Sequence, residues 1–294
     1  MTIQIDPLHA NFAARVTGAD ITKPLDAETR RKLQSALDQH AVLIIPGPPL
    51  NEEQQCEFAE NFGELEGKNY IMNTKARLGG KLADVSNLDQ DDAVYGHNDR
   101  RRMFNLGNQL WHTDSSFKEI PAKYSMLHAH SVTPEGGETQ VVDNRHAYET
   151  LTEKMKAKID GLMAEHSIFT SRAKLGFTDF TQEEKDALPP VLRPLVRMHE
   201  ESGRKTLYLA SHIGRIEGMA TPDALMLVRE LVEHATHPDN IYEHKWEVGD
   251  LMIWDNRCTL HRGRPYDDET HRRDMRRATI EDPINAKRDL ELAA

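Results

Sequence analysis

Two short segments far apart in the chain carry residues of the kind that bind metal ions. The first, residues 109–117 (QLWHTDSSF), has His112 and Asp114 separated by one residue, and the second, residues 254–263, contains His261. Two imidazoles and one carboxylate can occupy one face of an octahedral ion and leave the opposite face open, as in non-haem Fe(II) oxygenases. If the three residues share an ion, any fold of this chain has to bring the two segments together.

The His-x-Asp/Glu pattern alone is weak evidence, because the chain has 15 histidines and 48 acids among 294 residues. This composition gives about two matches by chance, and the sequence contains four. The pairs that start at His97 and His237 lie in polar or turn-forming stretches, and the pair at His199 runs into turn residues. His112 follows a Leu-Trp pair, which predicts a strand end that faces a shielded cavity. Spacing alone leaves two interpretations of His112 and Asp114 open, a ligand pair or a chance match.

A second constellation lies near the C-terminus, in residues 272–280 (RRDMRRATI). A β-strand places alternate side chains on opposite faces, so Arg273, Met275 and Arg277 would share one face. If that face is buried, the two guanidiniums need anionic partners, because an unpaired buried charge is costly. Arginine suits carboxylates, since its planar fork matches their two oxygens. The alternative is a basic edge strand on the surface, paired with the acids at 267–269, and the charge run alone favours that alternative.

Six segments carry a likeness to a known family, and they appear in the family's order along most of the chain. They are residues 42–47 (VLIIPG), 108–117 (NQLWHTDSSF), 134–139 (PEGGET), 194–197 (PLVR), 249–257 (GDLMIWDNR) and 261–279. Together they resemble the taurine dioxygenase family of Fe(II)/2-oxoglutarate-dependent oxygenases, and most closely its 2,4-dichlorophenoxyacetate dioxygenase branch. The distant histidine and the paired arginines make this resemblance specific.

The resemblance implies an iron-dependent oxidoreductase. His112, Asp114 and His261 would hold Fe(II), and the open face of the ion would take 2-oxoglutarate and O2 as cosubstrates. The family's reaction converts 2-oxoglutarate to succinate and CO2 while a C–H bond of the primary substrate is hydroxylated. Ascorbate is expected to stimulate such an enzyme.

The resemblance also implies roles for residues around the metal. Thr139 and Arg273 would bind the distal carboxylate of 2-oxoglutarate, and Arg277 would bind the acidic group of the primary substrate. Asn108, which we expect to contact the substrate, and Trp254 match positions that line the family's pocket.

Two features depart from the family's pattern. Asp274 places an acid beside the arginines, where an apolar residue is common. The sequence therefore does not indicate what the outward face of the predicted strand contacts. The loop at residues 89–103 is unusually charged, and loops of this kind often cover the substrate.

The anchored acid group decides the product. If Arg277 holds an aryloxyacetate, hydroxylation of the methylene between carboxylate and ether oxygen gives an unstable hemiacetal, which collapses to a phenol and glyoxylate. If it holds a sulfonate, as in a taurine or alkylsulfonate dioxygenase, the products are sulfite and an aldehyde. The closer likeness along residues 109–117 and 234–266 favours the aryloxyalkanoate. A non-catalytic cupin-like metal-binding protein and a zinc hydrolase remain alternatives from other classes.

Length and composition predict one dioxygenase domain over residues 1–294, since no linker or repeat divides the chain. A net charge of −11 argues against a nucleic-acid partner. Two cysteines cannot form a disulfide framework, and we expect Cys258 to be a small packing residue rather than a ligand. With no signal peptide or long apolar run, we expect a cytoplasmic protein away from membranes, with a small acidic substrate and a homo-oligomeric state.

Local patterns predict both helices and strands. The predicted helices are about 27–40 capped by Asp26, 52–62 capped by Asn51 and Gln54 and closed by Gly63, 147–162, and one that opens at Thr221 with Leu225, Val228, Leu231 and Val232 along one side. The predicted strands are 42–45, 124–130, 139–142, 207–210, 241–246 and 251–254. Many short strands with helices outside them favour a mainly β fold, an antiparallel jelly roll (double-stranded β-helix), over a doubly wound parallel sheet.

Overall fold

A computed structural model of the protein describes residues 3–67, 77–79 and 81–293. Its helices are short except for the first, the eighth and the last. Within the described residues the α-helices are Ala27–His40 (α1), Glu52–Glu60 (α2), Arg100–Asn105 (α3), Asn144–Glu149 (α4), Glu153–Ile159 (α5), Ile168–Ala173 (α6), Gln182–Ala187 (α7), Thr221–Ala235 (α8) and Pro283–Ala293 (α9). Short 3-10 helices span Leu106–Gln109 and Pro238–Asn240.

The strands are also short, and most pair in antiparallel fashion. They are Gln4–Pro7 (β1), Ala14–Thr17 (β2), Val42–Ile45 (β3), Ala83–Asp84 (β4), Ala122–Ser131 (β5), Thr139–Asp143 (β6), Met163–His166 (β7), Val191–Pro194 (β8), Val196–His199 (β9), Arg204–Leu207 (β10), Ile213–Ile216 (β11), Tyr242–His244 (β12), Leu251–Asp255 (β13), Thr259–Gly263 (β14) and Asp274–Glu281 (β15).

Among the described strands, the largest sheet has seven, in the order β1-β2-β3-β13-β5-β15-β4, with β2 and β3 parallel. A three-stranded sheet has the order β12-β6-β14, another has the order β11-β7-β8, and β9 and β10 form a hairpin. The prediction of a mainly β fold with flanking helices is confirmed. No helix among the described residues is both long and apolar enough to cross a membrane.

The central strands are buried on both faces. In β3 (VLII) every residue is buried: Leu43 and Ile45 pack with α1 and α2, whereas Val42 and Ile44 pack on the other face with Trp254 of β13. A strand covered on both sides is apolar throughout instead of alternating. The helices thus cover one face of the large sheet and leave its other face to the functional site.

Several predicted boundaries are confirmed by the hydrogen bonds that set them. The Asp26 side chain accepts a hydrogen bond from the Thr29 backbone N–H at the start of α1. Asn51 and Gln54 form the reciprocal capping box of α2. The predicted strands at 42–45, 124–130, 139–142 and 251–254 are present with small extensions, and 241–246 is shortened to β12.

Four details of the prediction are wrong. α2 ends at Glu60, before Phe62, because the next residues form a tighter turn in which the Phe62 N–H donates to the Ala59 carbonyl. The predicted helix at 147–162 is two helices, since the Thr152 side chain caps a new start by accepting from the Met155 N–H.

The other two corrections concern burial and pairing. Leu225 of α8 is 42% exposed, so it lies outside the buried stripe that its neighbours form. The predicted strand at 207–210 lies earlier, at β10, because Arg204 to Leu207 pair with β9 across a turn that contains Gly203. Residues 208–210 are buried but belong to no sheet.

We predict that the protein loses folding stability as the pH is lowered, partly through His128 of β5. Burial, followed by the neighbouring His130, lowers the pKa of His128 to about 4, and its Nε2 accepts a hydrogen bond from the Leu50 N–H. The unfolded state, with a pKa of about 6.5, then binds more protons. Stabilisation present above pH 6.5 is therefore lost as the pH falls toward 4, by about 2 kcal/mol between pH 7 and pH 5.

Chemical denaturation at pH 7 and pH 5 measures this loss. The variant His128→Gln should show a flatter dependence than the wild type, whereas His237→Gln, at an exposed histidine, should not. Equal slopes for the wild type and His128→Gln would contradict the assignment.

Candidate metal centre and its two cavities

Two backbone hydrogen bonds join the distant segments. The N–H of His112 donates to the carbonyl of His261, and the N–H of His261 donates to the carbonyl of His112, each at 3.0 Å. The segment that precedes β5 is thereby attached to β14 as a one-residue antiparallel bridge. The fold meets the requirement that the sequence imposes, because the two histidines are direct neighbours.

The three predicted ligands lie close together and are buried. His112 Nε2 is 3.7 Å from Asp114 Oδ1, and His261 Nε2 is 3.5 Å from Asp114 Oδ2. One ligand atom from each residue lies within 4.8 Å of the others. Their exposed fractions are 4–6%.

Neighbouring groups hold these side chains in position. His112 Nδ1 lies 2.7 Å from the Leu110 carbonyl, so the other ring nitrogen of His112, Nε2, faces the centre. The Ser125 hydroxyl donates to Asp114 Oδ2 at 2.7 Å. The Asn256 side chain accepts from the Asp114 N–H at 3.1 Å and donates to the Ser125 hydroxyl at 2.9 Å. Such outer partners fix the orientation of metal ligands.

The protonation states suit a cation. Burial lowers the pKa of His112 and, with His112 beside it, holds the pKa of His261 well below its ordinary value. Burial opposes ionisation of Asp114, but the Arg277 guanidinium and the hydrogen bond from Ser125 favour the carboxylate and lower the pKa of that carboxyl. The centre therefore offers two neutral imidazoles and one carboxylate, the forms that bind metal ions. Within the described residues, His261 Nδ1 has no hydrogen-bond partner.

A second cluster of possible ligands, formed by His199, Asp255 and Cys258, has a different character. The Arg257 guanidinium donates to both oxygens of Asp255, and His199 Nε2 lies 3.0 Å from one of them. These contacts satisfy the carboxylate without a metal. Burial raises the pKa of the Cys258 thiol well above its ordinary value, so Cys258 is a buried neutral residue, as predicted.

One cavity beside the centre contains the first arginine of the pair. Arg273 is 8% exposed and lines it together with Thr139, Asn108 and Trp254. The Arg273 Nη2 donates to the Gly137 carbonyl at 3.1 Å, and among the described residues no carboxylate lies within 4 Å of the guanidinium. Burial lowers its pKa. Burying a cation without a paired carboxylate is costly, so this cavity favours an anion beside Arg273.

The second arginine also faces inward. Arg277 lines the same cavity, and its Nη1 donates to Asp114 Oδ1. The alternative of a basic surface strand is wrong, because β15 lies between β5 and β4 in the large sheet. On the outward face, Asp274 forms ion pairs with Arg77 at 2.7 Å and Arg276 at 3.2 Å. The unexpected acid thus pairs with two arginines, one of which comes from a distant segment.

A second cavity adjoins the first at the metal centre. It shares His112 and Arg277 with the first, and aromatic and aliphatic side chains form part of its wall. Those side chains are Phe104, Phe117 and Ile168. The wall also contains Arg172 of α6, which is 4% exposed. Sequence reasoning missed this residue, because a lone arginine in a short helix is usually a solvent-exposed one.

The charged loop at 89–103 contacts the rim of the first cavity. Arg102 lines that cavity and forms ion pairs with Asp268 at 2.9 Å and Glu269 at 3.2 Å. His97 also lies 2.8 Å from Glu269. Both acids belong to the segment between β14 and β15. The loop is therefore tied to the rim by ion pairs, one of them, Arg102–Asp268, largely buried, and His97 takes no part in the metal centre.

Comparison with known proteins identifies the family. Residues 4–279 match the model of the taurine catabolism dioxygenase TauD, TfdA family. The chain belongs to this family.

Relatives and a solved structure match over nearly the whole chain. The alpha-ketoglutarate-dependent 2,4-dichlorophenoxyacetate dioxygenase of Cupriavidus pinatubonensis is 44% identical over 284 residues, covering 96% of this chain and 99% of the relative. The (S)-phenoxypropionate/alpha-ketoglutarate-dioxygenase of Sphingobium herbicidovorans is 36% identical over 271 residues, 90% of both. The crystal structure of AAD-2 in complex with Mn(II) and N-oxalylglycine has a TM-score of 0.89 and 47% identity, covering 95% of this chain and 97% of that one.

We predict that Asn256→Ala weakens metal binding by about 10- to 100-fold, because Asp114 loses the group that orients its backbone and supports Ser125. Titration of the purified protein with Mn(II), followed by calorimetry, measures the affinity. Ser125→Ala should give a smaller loss of the same kind. Asn285→Ala is the control, since Asn285 bonds to Asp282 at the start of α9; a loss equal to that of Asn256→Ala would contradict the orienting role.

Proposed function

We propose that this protein is an Fe(II)- and 2-oxoglutarate-dependent dioxygenase that hydroxylates the carbon next to the carboxylate of an aryloxyalkanoate. One observation carries the proposal: two buried imidazoles and a carboxylate meet beside two adjoining cavities, with Arg277 of β15 lining both and Arg273, the residue before β15, lining the first. Relatives with this activity in their names support the substrate class.

His112, Asp114 and His261 would hold the iron. Two neutral nitrogens and one carboxylate oxygen are the donors that non-haem Fe(II) uses when it keeps coordination positions open. When bound, the iron supplies the O2-dependent oxidation in which 2-oxoglutarate becomes succinate and CO2 and a substrate C–H bond is hydroxylated. The AAD-2 structure, which holds Mn(II) and N-oxalylglycine as stand-ins for metal and cosubstrate, supports this assignment.

Arg273 and Thr139 bind the distal carboxylate of 2-oxoglutarate. The Arg273 guanidinium has no protein carboxylate within 4 Å among the described residues, and the Thr139 hydroxyl lies at the same cavity with Trp246 Nε1 donating to it at 3.1 Å. Gly137 lies against the arginine: a Cβ there would make a tight 3.2 Å contact with Arg273 Nε, and the positive φ of 75° at this position itself favours glycine. A charge-assisted, two-point contact of this kind selects a dicarboxylate cosubstrate.

Arg277 binds the acid group of the primary substrate, and Asn108, which borders both cavities, contacts the substrate beside it. Once Asp114 binds the metal, the Arg277 guanidinium is free to hold a second anion. A carboxylate held there presents its neighbouring methylene to the metal centre. Hydroxylation of that carbon in an aryloxyacetate gives a hemiacetal, whose ether C–O bond breaks to release a phenol and glyoxylate.

The remaining features of the proposal concern the whole protein. The sheets form a double-stranded β-helix, and residues 1–294 make up a single dioxygenase domain. The enzyme is cytoplasmic and homo-oligomeric, and it acts on a small acid without binding nucleic acid or membranes, in keeping with a net charge of −11. Ascorbate stimulates it by keeping the iron reduced.

We predict that the Fe(II) enzyme with 2-oxoglutarate, O2 and ascorbate converts phenoxyacetate to phenol and glyoxylate, with one succinate formed for each phenol. Phenol and succinate are measured by liquid chromatography. Release of sulfite from taurine without phenol from phenoxyacetate would reverse the substrate assignment. Absence of O2 consumption with 2-oxoglutarate and any acid would favour a metal-binding protein without catalysis.

We predict that Arg273→Met raises the KM for 2-oxoglutarate by at least about 30-fold, because removing one partner of a buried charge pair costs about 2–5 kcal/mol. Succinate formation at varied 2-oxoglutarate measures the change. Arg272→Met is the matched control, since the adjacent arginine is exposed and donates to the Asp92 carbonyl. Similar KM values for the two variants would contradict the assignment of Arg273.

A further inference from the structure

Arg172 is a buried cation without a counter-ion. Its guanidinium lies in the wall of the second cavity, and among the described residues no carboxylate lies within 4 Å of it. Its Nη1 donates to the Ser171 hydroxyl at 3.1 Å, while its Nε is buried and has no hydrogen-bond partner in the described part of the chain. The guanidinium carbon lies 4.2 Å from the centre of the Phe104 ring. Contacts with a hydroxyl and a ring leave most of the cost of burying this charge uncompensated.

The backbone is shaped around this guanidinium. Gly107, in the 3-10 helix at Leu106–Gln109, has no Cβ, and a Cβ there would lie 2.2 Å from Arg172 Cζ. Gly107 does not have a positive φ, so its backbone conformation does not demand glycine. The small residue is needed for the close approach of the arginine.

The other charges that line the second cavity are already matched. Asp84 accepts two hydrogen bonds from the Arg77 guanidinium, and Lys118 pairs with Glu66 at 3.0 Å. Under the proposed function Asp114 binds the metal. The two charges left over are then the guanidiniums of Arg172 and Arg277.

Burial, followed by the nearby positive charge of Arg277, lowers the pKa of Arg172 to about 10. At neutral pH the side chain therefore stays protonated. The cavity thus keeps a second positive charge that no carboxylate of the described residues pairs with.

We propose that Arg172 is a second substrate-binding residue, which together with Arg277 binds the anionic group of the primary substrate in the second cavity. This inference rests on the proposed function and extends it to specificity. Phe104, Phe117 and Ile168 then contact the apolar part of the substrate. Two guanidiniums facing one cavity favour an acid strongly over a neutral analogue of the same shape.

The test compares four variants with the wild type. Arg172→Met removes the charge and retains an apolar chain, and Arg172→Lys retains the charge without the planar fork. Gly107→Ala leaves the arginine in place but displaces its guanidinium. Lys174→Met is the control, because this substitution removes one positive charge from the end of the same helix. The Lys174 ammonium donates to the carbonyls of Ser211 and Ile213 and does not line the cavity.

Binding is measured by calorimetry without turnover. Phenoxyacetate or its neutral analogue 2-phenoxyacetamide is titrated into the anaerobic protein loaded with Fe(II) and 2-oxoglutarate, and 2-oxoglutarate is titrated separately. We expect Arg172→Met to raise the Kd for phenoxyacetate by roughly 10- to 100-fold. Gly107→Ala should raise it in the same direction and Arg172→Lys less. The Kd values for 2-oxoglutarate and for the amide should change less than about threefold, and Lys174→Met should match the wild type.

Two results would overturn the inference. One is a Kd for phenoxyacetate in folded Arg172→Met and Gly107→Ala proteins within threefold of the wild type, with folding checked by thermal unfolding. The other is an equal loss for phenoxyacetate and the amide, which would assign Arg172 to the shape of the cavity. A wild type that binds 2-oxoglutarate but not phenoxyacetate would contradict the proposed substrate class instead, and taurine then serves as the anionic probe for the same comparison.

Discussion

The reciprocal backbone hydrogen bonds between His112 and His261 are the constraint on which the site depends. They join a segment outside the main sheet to β14, and they set the positions of both imidazoles through the backbone rather than through the side chains alone. Asp114, two residues on, then lies beside Ser125 of β5, which belongs to the large sheet. The centre therefore joins the two sheets, and a shift in the pairing of either one would separate the ligands.

The charged side chains of β15, and of Arg273 just before it, fall into two groups: one stabilises the fold, and the other faces the site. On the outward face Asp274 compensates Arg77 and Arg276 within the protein. On the inward side Arg273, just before the strand, has no paired carboxylate among the residues that the structure describes, and the acid that Arg277 contacts is also a metal ligand in the proposed enzyme. Because side chains alternate between the two faces of a strand, this short sequence contains arginines that stabilise the fold and arginines that are available to bind a ligand.

Much of this arrangement follows from sequence, and the parts that do not follow have physical reasons. Local rules located the caps of α1 and α2 and the buried strand β3, since these depend on neighbouring residues. They missed the break at Thr152, where a capping hydroxyl begins a new helix, and they placed the strand of β10 too late in the chain, because its position depends on its pairing with β9. The family's motifs indicated where His112 and His261 would meet, but Arg172 carries no local signal. Its burial results from Gly107 and Phe104, which come from another part of the chain.

The double burial of β3 and β13 has a consequence for how such enzymes diverge. Side chains on these strands are packed on both faces, so they tolerate little change in volume. Much of the wall of the two cavities comes instead from connecting segments and from the short helices α3 and α6. Selection can therefore remodel the walls that select the organic acid while the oxidising centre and its scaffold stay intact. Substrate preference can thus diverge among relatives that keep the same reaction.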